Sequence, residues 1–457
     1  MTGPSDKSPG LLGRITAQLT AWIAPRWDGP QRLAAFLTKP LPRNVSWLHT
    51  LGGLLLLYIC FQTLTGILLG FYYSPGPESA YQSVRYVQEE LFLGRFLHQL
   101  HRYGSGFIIV TAFLHLARSY FLAAYKAPRE LLWITGVMLF ILLTLLAFTG
   151  QLLPFDQRGY WATVVGIDIA SSAPGIGKYV GQILTGGYGD IGAVTLSRFY
   201  ILHVSLLPFA LFGLVALHLG ILQRTGSAGP AEGSPEPIRP FFPSQASKDI
   251  LVAGAGALAL CLVAAFVTSA ETGPADPASS DFVPRPEWYF LSHYQILKSL
   301  PGSLKIIGTF VLPNVLFGAL FMLPFIDRSS RRAIRQRPVV VAAGLITGIA
   351  IIGLTVWGVL TPPPAPSRAG AVATSLDPVE HGRLLFAEGE CIRCHTIASQ
   401  GGTQGPDLSH VAGRIRPDYF PLWIRNPRRF KSDTEMPAFE GTDDELAAIV
   451  EYLLTLQ

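Results

Sequence analysis

The sequence predicts an all-α membrane protein: seven transmembrane helices in a four-helix and a three-helix unit, followed by a soluble α-helical domain. Three observations predict it. Hydrophobic residues make up 49% of the 457 residues and charged residues 14%, and the charges gather between long apolar runs, as in a chain that meets lipid. Two of those runs carry two histidines each at helical spacing. Residues 376–457 return to an ordinary charged composition around CIRCH.

Charge-free runs lie between Arg43 and Glu78, Glu130 and Asp156, Arg198 and Arg224, Asp249 and Glu271, Lys305 and Asp327, and Arg337 and Arg368. A shorter one, Tyr103 to Ala117, completes seven candidate spans. Basic residues gather before the first span (Arg32, Lys39, Arg43), after the second (Arg118, Lys126, Arg129), after the fourth (Arg224, Arg239, Lys248) and after the sixth (Arg328, Arg331, Arg332, Arg335, Arg337). The alternate loops are mixed or acidic, so the formal charge of +5 matters by side, not as a total. The positive-inside rule then places the N-terminus in the cytoplasm and, after seven spans, the C-terminal domain outside a bacterial inner membrane.

Residues 1–43 hold no apolar run of signal-peptide type. Leu11, Leu12, Ile15, Leu19, Trp22 and Ile23 recur at helical spacing, the pattern of an amphipathic helix on the cytoplasmic membrane surface or of a disordered leader. A four-helix domain is expected at 44–224, a Gly/Pro/Ser-rich linker at 225–247, a three-helix domain at 248–361, a Pro/Ala-rich linker at 362–375 and the soluble domain at 376–457. The loop of more than forty residues after the third span is rich in aromatic and apolar residues, which predicts ordered surface helices on the outer face. The loop between the fifth and sixth spans carries PEWY, Pro286 to Tyr289, on the same face. The two loops are positioned to cover one pocket.

His101 and His115 lie fourteen residues apart on the second span, nearly four helical turns and about 21 Å along the axis. His203 and His218 repeat the arrangement on the fourth span, fifteen apart. Two helices with two histidines each make two sites level in depth, and paired neutral imidazoles suit the axial positions of a b-type haem iron. The glycines follow the same period. Gly52 and Gly66 on the first span, and Gly136 and Gly150 on the third, are also fourteen apart, and glycine admits a flat ring where a side chain would collide. Arg102, next to His101, is grouped with these cofactor-binding residues.

Of the four cysteines, Cys60 and Cys261 lie alone in apolar spans and read as core packing. Cys391, Cys394 and His395 form a c-type haem attachment sequence, and Met436, in EMPAF, is the only methionine downstream of it. Such haem is attached on the outer face, which agrees with the charge asymmetry. His49, His293, His381 and His410 read as local hydrogen-bonding or surface residues, and His98 as a helix-end residue.

HRYGSGFIIVTAFLHLARSYFLAAYKAPRELLWITGVML, the GYWA loop and RFYILHVSLLPFALFGLVALH resemble the four-span cytochrome b of quinol-oxidising cytochrome bc-type complexes. Residues 271–361, with PADP, PEWYF and QILK, resemble the three-span subunit that is a separate chain in the plastoquinol- and menaquinol-oxidising branch. The fifteen-residue histidine spacing resembles that branch too. The tail resembles a class I cytochrome c.

The resemblance implies that His101 and His203 hold an outer haem b of low potential, and His115 and His218 a cytoplasmic-side haem b of high potential. It implies that Glu287 of PEWY takes a proton from quinol in a largely apolar pocket, where a carboxyl binds its proton more tightly, with Tyr160 and Trp161 forming part of the wall. In the tail, Cys391 and Cys394 would carry one haem c by thioethers, His395 and Met436 would ligate it, and Gly405-Pro406-Asp407-Leu408 matches the family's proximal loop. Pro208 is expected to kink the fourth span and absorb its extra residue.

An additional covalent haem at the cytoplasmic quinone site is left open, because Cys60 lies two residues before Gln62, where the plastoquinol branch has its cysteine four before. The implied function is a quinol:cytochrome c oxidoreductase subunit of a respiratory or photosynthetic chain. One electron would cross the two b haems to a cytoplasmic-side quinone, the other would reach haem c, and protons would be translocated. CIRCH holds the only clustered cysteine pair, so a separate Rieske iron–sulfur protein is required, with a soluble or membrane-bound acceptor beyond haem c. Membrane lipid and a second copy of the chain complete the implied partners, and no nucleic acid is among them. A dihaem anchor for a quinone-reducing dehydrogenase and a passive electron conduit are the competing readings. The first usually has fewer spans and lacks PEWY.

Overall fold

The computed structural model describes residues 11–23, 25–26, 28–41, 45–187, 191–228, 239–267, 272–276, 285–300, 304–361, 377–388, 391–431 and 434–456. The 362–375 linker and the centre of the 225–247 linker lie outside the described residues. Two short helices come first, α1 (Leu11–Ile23) and α2 (Gly29–Leu37). Leu11, Ile15, Leu19 and Trp22 of α1 are exposed, the apolar stripe of a helix that lies on an interface.

The unit expected to span four times, the four-span unit below, is built from α3 (Leu51–Gly70), α5 (Gly94–Phe121), α6 (Glu130–Gln151) and a continuous rod made of α9 (Ala193–Ile201), a π turn (Leu202–Leu206) and α10 (Leu207–Thr225). The short α4 (Ala80–Glu89) precedes α5, and the long loop after α6 folds into α7 (Gln157–Ser171) and α8 (Gly177–Thr185), as its composition predicted. The three-span unit contains α11 (Ala246–Phe266), the short α12 (Leu291–Ser299) after PEWY, α13 (Leu312–Ile326) and α14 (Pro338–Leu360). Two-residue strands Pro40–Leu41 and Arg239–Pro240 pair antiparallel and tie the N-terminal segment to the chain entering α11.

Among the described residues, six helices are long and apolar enough to cross a membrane: Trp47–Gly70, Glu130–Gln151, Ala193–Thr225, Ala246–Phe266, Ile307–Ile326 and Pro338–Leu360. The expected seventh, α5, is long enough at about 42 Å, but its first half, GRFLHQLHRYGSG, is too polar to join them. Cys60, expected inside the core, is exposed on α3. A bilayer is itself an apolar solvent, so an apolar side chain on a span need not face protein.

One apolar cluster sits at mid-depth in the bundle: Tyr58 and Ile59 from α3, Ile108 and Ala112 from α5, Leu143 from α6, Leu211 from α10 and Leu260 from α11. Each of the four-span residues lies between the two histidines or two glycines of its own helix. The cluster therefore separates two histidine levels with a layer of packed hydrocarbon.

The three-span unit docks on the four-span unit through polar contacts at the end away from PEWY. Lys126 Nζ donates to Asp327 Oδ1 at 2.7 Å, and the Tyr125 hydroxyl to Asp327 Oδ2 at 2.6 Å. Lys126 also donates to the Ser329 and Arg331 carbonyls at 2.9 and 2.7 Å. The Trp133 indole donates to the Leu320 carbonyl at 2.7 Å, and the Tyr120 hydroxyl to that of Val340 at 2.7 Å. Burial alone would raise the Asp327 carboxyl, but hydrogen bonds from Lys126, Tyr125 and Ser329 outweigh it and hold it below its ordinary value.

The C-terminal domain comprises α15 (Pro378–Glu388), α16 (Cys391–Cys394), α17 (Phe420–Arg425), α18 (Pro427–Phe430) and α19 (Asp443–Leu454). Phe386, Val411, Phe420, Ile449 and Leu453 form its core. Thr442 caps α19 in a reciprocal pair with Glu445, the arrangement that satisfies two otherwise orphaned helix donors.

The Lys126 and Asp327 side chains are 7% and 9% exposed, so Asp327→Ala leaves a buried ammonium without its carboxylate. The expected loss is about 3–5 kcal/mol, read as a lower denaturation midpoint of the detergent-solubilised protein. The folded Asp327 has a depressed proton affinity, so its contribution is complete above the unfolded carboxylate value of about 3.9 and disappears as the pH falls through the folded value. Midpoints measured down an acid series should therefore converge for wild type and variant.

Candidate functional site

Each histidine of the two levels lies against the backbone of a facing helix at a glycine. A Cβ placed on Gly150 would stand 2.6 Å from His203 Cε1, and one on Gly66 3.1 Å from His101 Cε1. At the other level the corresponding distances are 3.4 Å from Gly52 to His115 and 3.4 Å from Gly136 to His218. The glycines and histidines that share a period in the sequence are thus in contact in space. Across the bundle, the His101 and His203 rings have centroids 6.2 Å apart and planes at 82°. An imidazole nitrogen lies about 2 Å from a metal it ligates, so two rings end-on to one metal hold their centroids about 6 Å apart. The pair fits one iron between them.

Threonine hydroxyls fix three of the four rings. Thr65 Oγ1 lies 2.9 Å from His101 Nδ1, Thr135 Oγ1 2.9 Å from His218 Nδ1 and Thr149 Oγ1 3.2 Å from His203 Nδ1. Each hydroxyl also donates to a carbonyl of its own helix, Thr65 to Phe61, Thr135 to Leu131 and Thr149 to Leu145. A hydroxyl has one proton. It must therefore accept from Nδ1–H, which leaves Nε2 as a bare lone pair, the neutral tautomer a metal needs.

Sequence reasoning missed these threonines, although the signal was there: Thr65-Gly66, Thr135-Gly136 and Thr149-Gly150 repeat one dipeptide. The fourth position is Leu51-Gly52, and His115 Nδ1 is buried without a hydrogen-bond partner.

The fifteen-residue spacing on the fourth span is absorbed by the π turn Leu202–Leu206, where the Leu207 N–H bonds to the Leu202 carbonyl. One extra residue would otherwise rotate the second ring by about 100°, and a π turn takes up one residue. The adjustment lies just before Pro208, not in a kink at Pro208 itself. The proline sits where its missing N–H follows the π turn.

A cavity of about 160 Å³ opens beside the His101–His203 level, lined by Arg102, Tyr103, Ser105, Gly106, Arg158, Glu287, Trp288 and Tyr289. The PEWY loop and the loop carrying α7 do meet, and the Trp288 ring packs against α5 at Gly106. The wall differs from the expected apolar one. Glu287 Oε1 faces Arg102 Nη2 at 3.4 Å and Arg158 Nη1 at 3.5 Å, so the carboxylate sits between two cations. Arg102, grouped with the cofactor residues in the sequence, turns to Glu287 instead, and Arg158 was not anticipated.

The Tyr289 hydroxyl takes a long 3.4 Å hydrogen bond from Gln151, and burial raises its phenol. Tyr160 and Trp161 are not part of this lining. Tyr160 is buried in an apolar cluster with Leu152, Phe155, Leu196 and Phe199, and Trp161 packs on it.

In the C-terminal domain, Cys391 and Cys394 both stand on α16, and burial pushes the Cys391 thiol up. His395 Nδ1 lies 2.9 Å from the Pro406 carbonyl, which fixes the ring with Nε2 free. A Cβ on Gly405 would stand 2.6 Å from His395 Cε1, so the loop approaches the imidazole only as glycine. Met436 lies in the irregular stretch between α18 and α19.

Residues 36–226 match the family model described as Cytochrome b/b6/petB, 274–376 that of Cytochrome b(C-terminal)/b6/petD, and 379–457 that of Cytochrome c. A curated cytochrome b from Rickettsia bellii is 33% identical over 347 residues, 73% of this chain and 84% of the relative. The chain belongs to the cytochrome b family. It carries a cytochrome c domain at its C-terminus, a cytochrome b/c fusion of a bc-type complex, and its relatives are oxidoreductase subunits.

The menaquinol:cytochrome c reductase cytochrome b subunit of Bacillus subtilis is 42% identical over 216 residues, 46% of this chain and 96% of that protein. Among solved structures, a hyperthermophilic respiratory complex III matches with TM-score 0.69 and 28% identity, over 80% of this chain and 96% of that one. Cytochrome b and c domains imply haem b and haem c. The histidine geometry, the threonine-fixed tautomers and the CxxCH loop fit those groups.

The other histidines mostly follow expectation. His49 Nδ1 accepts from the Ser46 N–H at 3.0 Å and its Nε2 lies 3.2 Å from the Ala228 carbonyl, while His98 pairs with Gln88 at 2.9 Å. His381 departs from its expected place. It is buried on α15, with no hydrogen-bond partner at Nε2.

Alanine substitutions at the four glycines should be graded by the space each Cβ meets. Gly150→Ala should lose most b-type absorbance per covalent haem c in reduced-minus-oxidised spectra, Gly66→Ala less, and Gly52→Ala and Gly136→Ala least.

Proposed function

We propose that this cytochrome b/c fusion oxidises quinol in the Glu287 cavity at the outer membrane face, as the electron-transfer subunit of a proton-translocating quinol:cytochrome c oxidoreductase. The observation that carries this reading is the position of the cavity. Arg102, Ser105 and Gly106 of its wall follow His101 within two turns of α5, and Gln151, bonded to Tyr289, follows Gly150. A proton acceptor and a histidine pair suited to iron therefore border the same space.

Quinol oxidation releases two protons and two electrons. Glu287 accepts one hydroxyl proton, the other leaves to water on the outer face, and Arg102 and Arg158 hold the Glu287 carboxylate at the cavity wall. Trp288, packed against α5 at Gly106 and lining the cavity, offers an aromatic surface for a planar ring. His101 with His203, and His115 with His218, each hold a haem b, and Cys391, Cys394, His395 and Met436 hold the haem c. When bound, these groups supply reversible one-electron transfer between the cavity, a cytoplasmic-side quinone and an acceptor beyond the C-terminal domain.

A separate Rieske protein takes the other electron, since CIRCH holds the chain's only clustered cysteine pair. Seven spans, with α5 as the seventh inside the bundle, leave the cytochrome c domain outside and the N-terminus in the cytoplasm. The 42% identity to a menaquinol:cytochrome c reductase subunit supports a quinol of the menaquinol class.

Glu287→Gln in the purified complex should lower quinol:cytochrome c reductase turnover by roughly 10²–10⁴-fold, with the b and c haem spectra unchanged. Full turnover in the variant would remove Glu287 from the mechanism.

A further inference from the structure

PEWY is fastened from two sides. On the α5 side, Glu287 Oε1 meets Arg102 Nη2 at 3.4 Å and Arg158 Nη1 at 3.5 Å. Both distances lie beyond the usual hydrogen-bond range, so these cations draw the carboxylate inward without fixing where it stops. On the far side is Arg285, two residues before Glu287 in the sequence. Its Nη2 donates to the Gly358 carbonyl at 2.7 Å and to the Thr361 carbonyl.

Both acceptors belong to the end of α14: Gly358 lies in its last turn and Thr361 is the capping residue. A helix leaves its last carbonyls without intrahelical partners and carries partial negative charge there. One guanidinium nitrogen has two protons, one for each carbonyl, and its positive charge suits that end of the helix. The side chain is the anchor this stretch has available. Arg285 lies between Pro284 and Pro286, and proline has no N–H with which to grip a neighbour. The same turn of α14 also packs on the helix that follows PEWY. A Cβ on Gly358 would stand 3.1 Å from Leu291 Cβ and 3.3 Å from Gln295 Cγ, and both of those residues are buried. The chain is therefore held to α14 immediately before PEWY and immediately after it.

We propose that Arg285 is a positioning residue for quinol oxidation: by capping α14 it fixes where PEWY begins, and so sets where Glu287 stands in the cavity. Arg285 is not among the residues that line that cavity, and it acts on the reaction only through Glu287. The inference rests on the functional reading above, in which Glu287 takes the quinol proton. Proton transfer needs the carboxylate within hydrogen-bond reach of the hydroxyl, and a displacement of about 1 Å can cost 10²-fold in rate.

The test is a double-mutant cycle on quinol:cytochrome c reductase turnover of the purified complex, counted per b haem. Arg285→Gln should lower kcat roughly ten- to a hundredfold, with the reduced-minus-oxidised spectra of the b and c haems unchanged. In the Glu287→Gln background it should lower nothing further, because the group it positions is already gone. Full turnover in Arg285→Gln overturns the proposal. So does a double variant slower than Glu287→Gln by the factor seen in Arg285→Gln alone, since independent losses multiply when a residue merely supports the fold.

Arg285→Lys keeps a cationic donor for the end of α14 and should retain more turnover than Arg285→Gln; equal loss in the two overturns the capping role. Should Arg285→Gln fail to assemble, Arg285→Lys takes its place in the cycle. Its smaller loss should vanish in the Glu287→Gln background, and a loss that persists there overturns the proposal. Full turnover in Glu287→Gln alone would instead sink the functional reading, whatever Arg285 does.

Discussion

Close approach of an imidazole ring to a helix backbone at a glycine is the contact on which the rest of the structure depends. It is tightest at Gly150 and Gly66 and recurs at Gly52 and Gly136, where a Cβ would meet the ring at ordinary contact distance. A glycine in mid-helix costs about 0.5–1 kcal/mol relative to alanine, a cost that Gly66 and Gly136 bear inside α3 and α6. The return is register. Once the rings of α5 face α3 and those of α10 face α6, the histidines of α5 and α10 come level in twos. The cluster around Tyr58, Ile108, Leu143 and Leu211 fills the depth between the levels with hydrocarbon and so keeps the two sites apart.

The second constraint is the interface between the two units. Apolar contact alone is a weak guide to orientation inside a membrane, because lipid tails are as apolar as the side chains they would replace. Directional contacts supply what hydrophobicity cannot. Asp327 between Tyr125 and Lys126, and Trp133 on the Leu320 carbonyl, fix how the three-span unit sits. At the other end of the bundle, Glu287 meets Arg102 of α5 and Arg158 of the α7 loop. The cavity exists because this docking brings PEWY over α5.

Much of this was legible in the residues themselves. The fourteen-residue period that His101/His115 shares with Gly52/Gly66 and Gly136/Gly150 encodes that histidine helices face glycine helices, because a helix repeats its face every few residues; which faces which is settled only in the fold. CIRCH encodes its own chemistry by spacing. What was not legible depends on the third dimension. Arg158 reads as an ordinary loop cation until two loops 129 residues apart in sequence converge on Glu287. Tyr160 and Trp161 read as pocket wall because aromatic side chains suit pockets, but in the fold they point into the core behind it.

Local backbone geometry was also hidden. Proline announces a break in the helical ladder, and Pro208 was read accordingly, yet the extra residue is absorbed one turn earlier, where the Leu207 N–H reaches back to Leu202. The repeated Thr-Gly dipeptide was readable and was passed over, because a threonine on a span usually bonds its own helix. Here it does that and accepts from a histidine as well. The exception, Leu51-Gly52, marks His115 as the one ring without such a bond.

The claim at the centre is that levelled histidine pairs each hold one iron porphyrin. The most direct test is the ratio of acid-extractable b haem to covalently attached c haem in the purified chain, compared with that of His203→Leu. The account predicts two extractable haems for each covalent one in the wild type and one in the variant. A ratio that His203→Leu leaves unchanged, or a wild-type chain with no extractable haem, would contradict it.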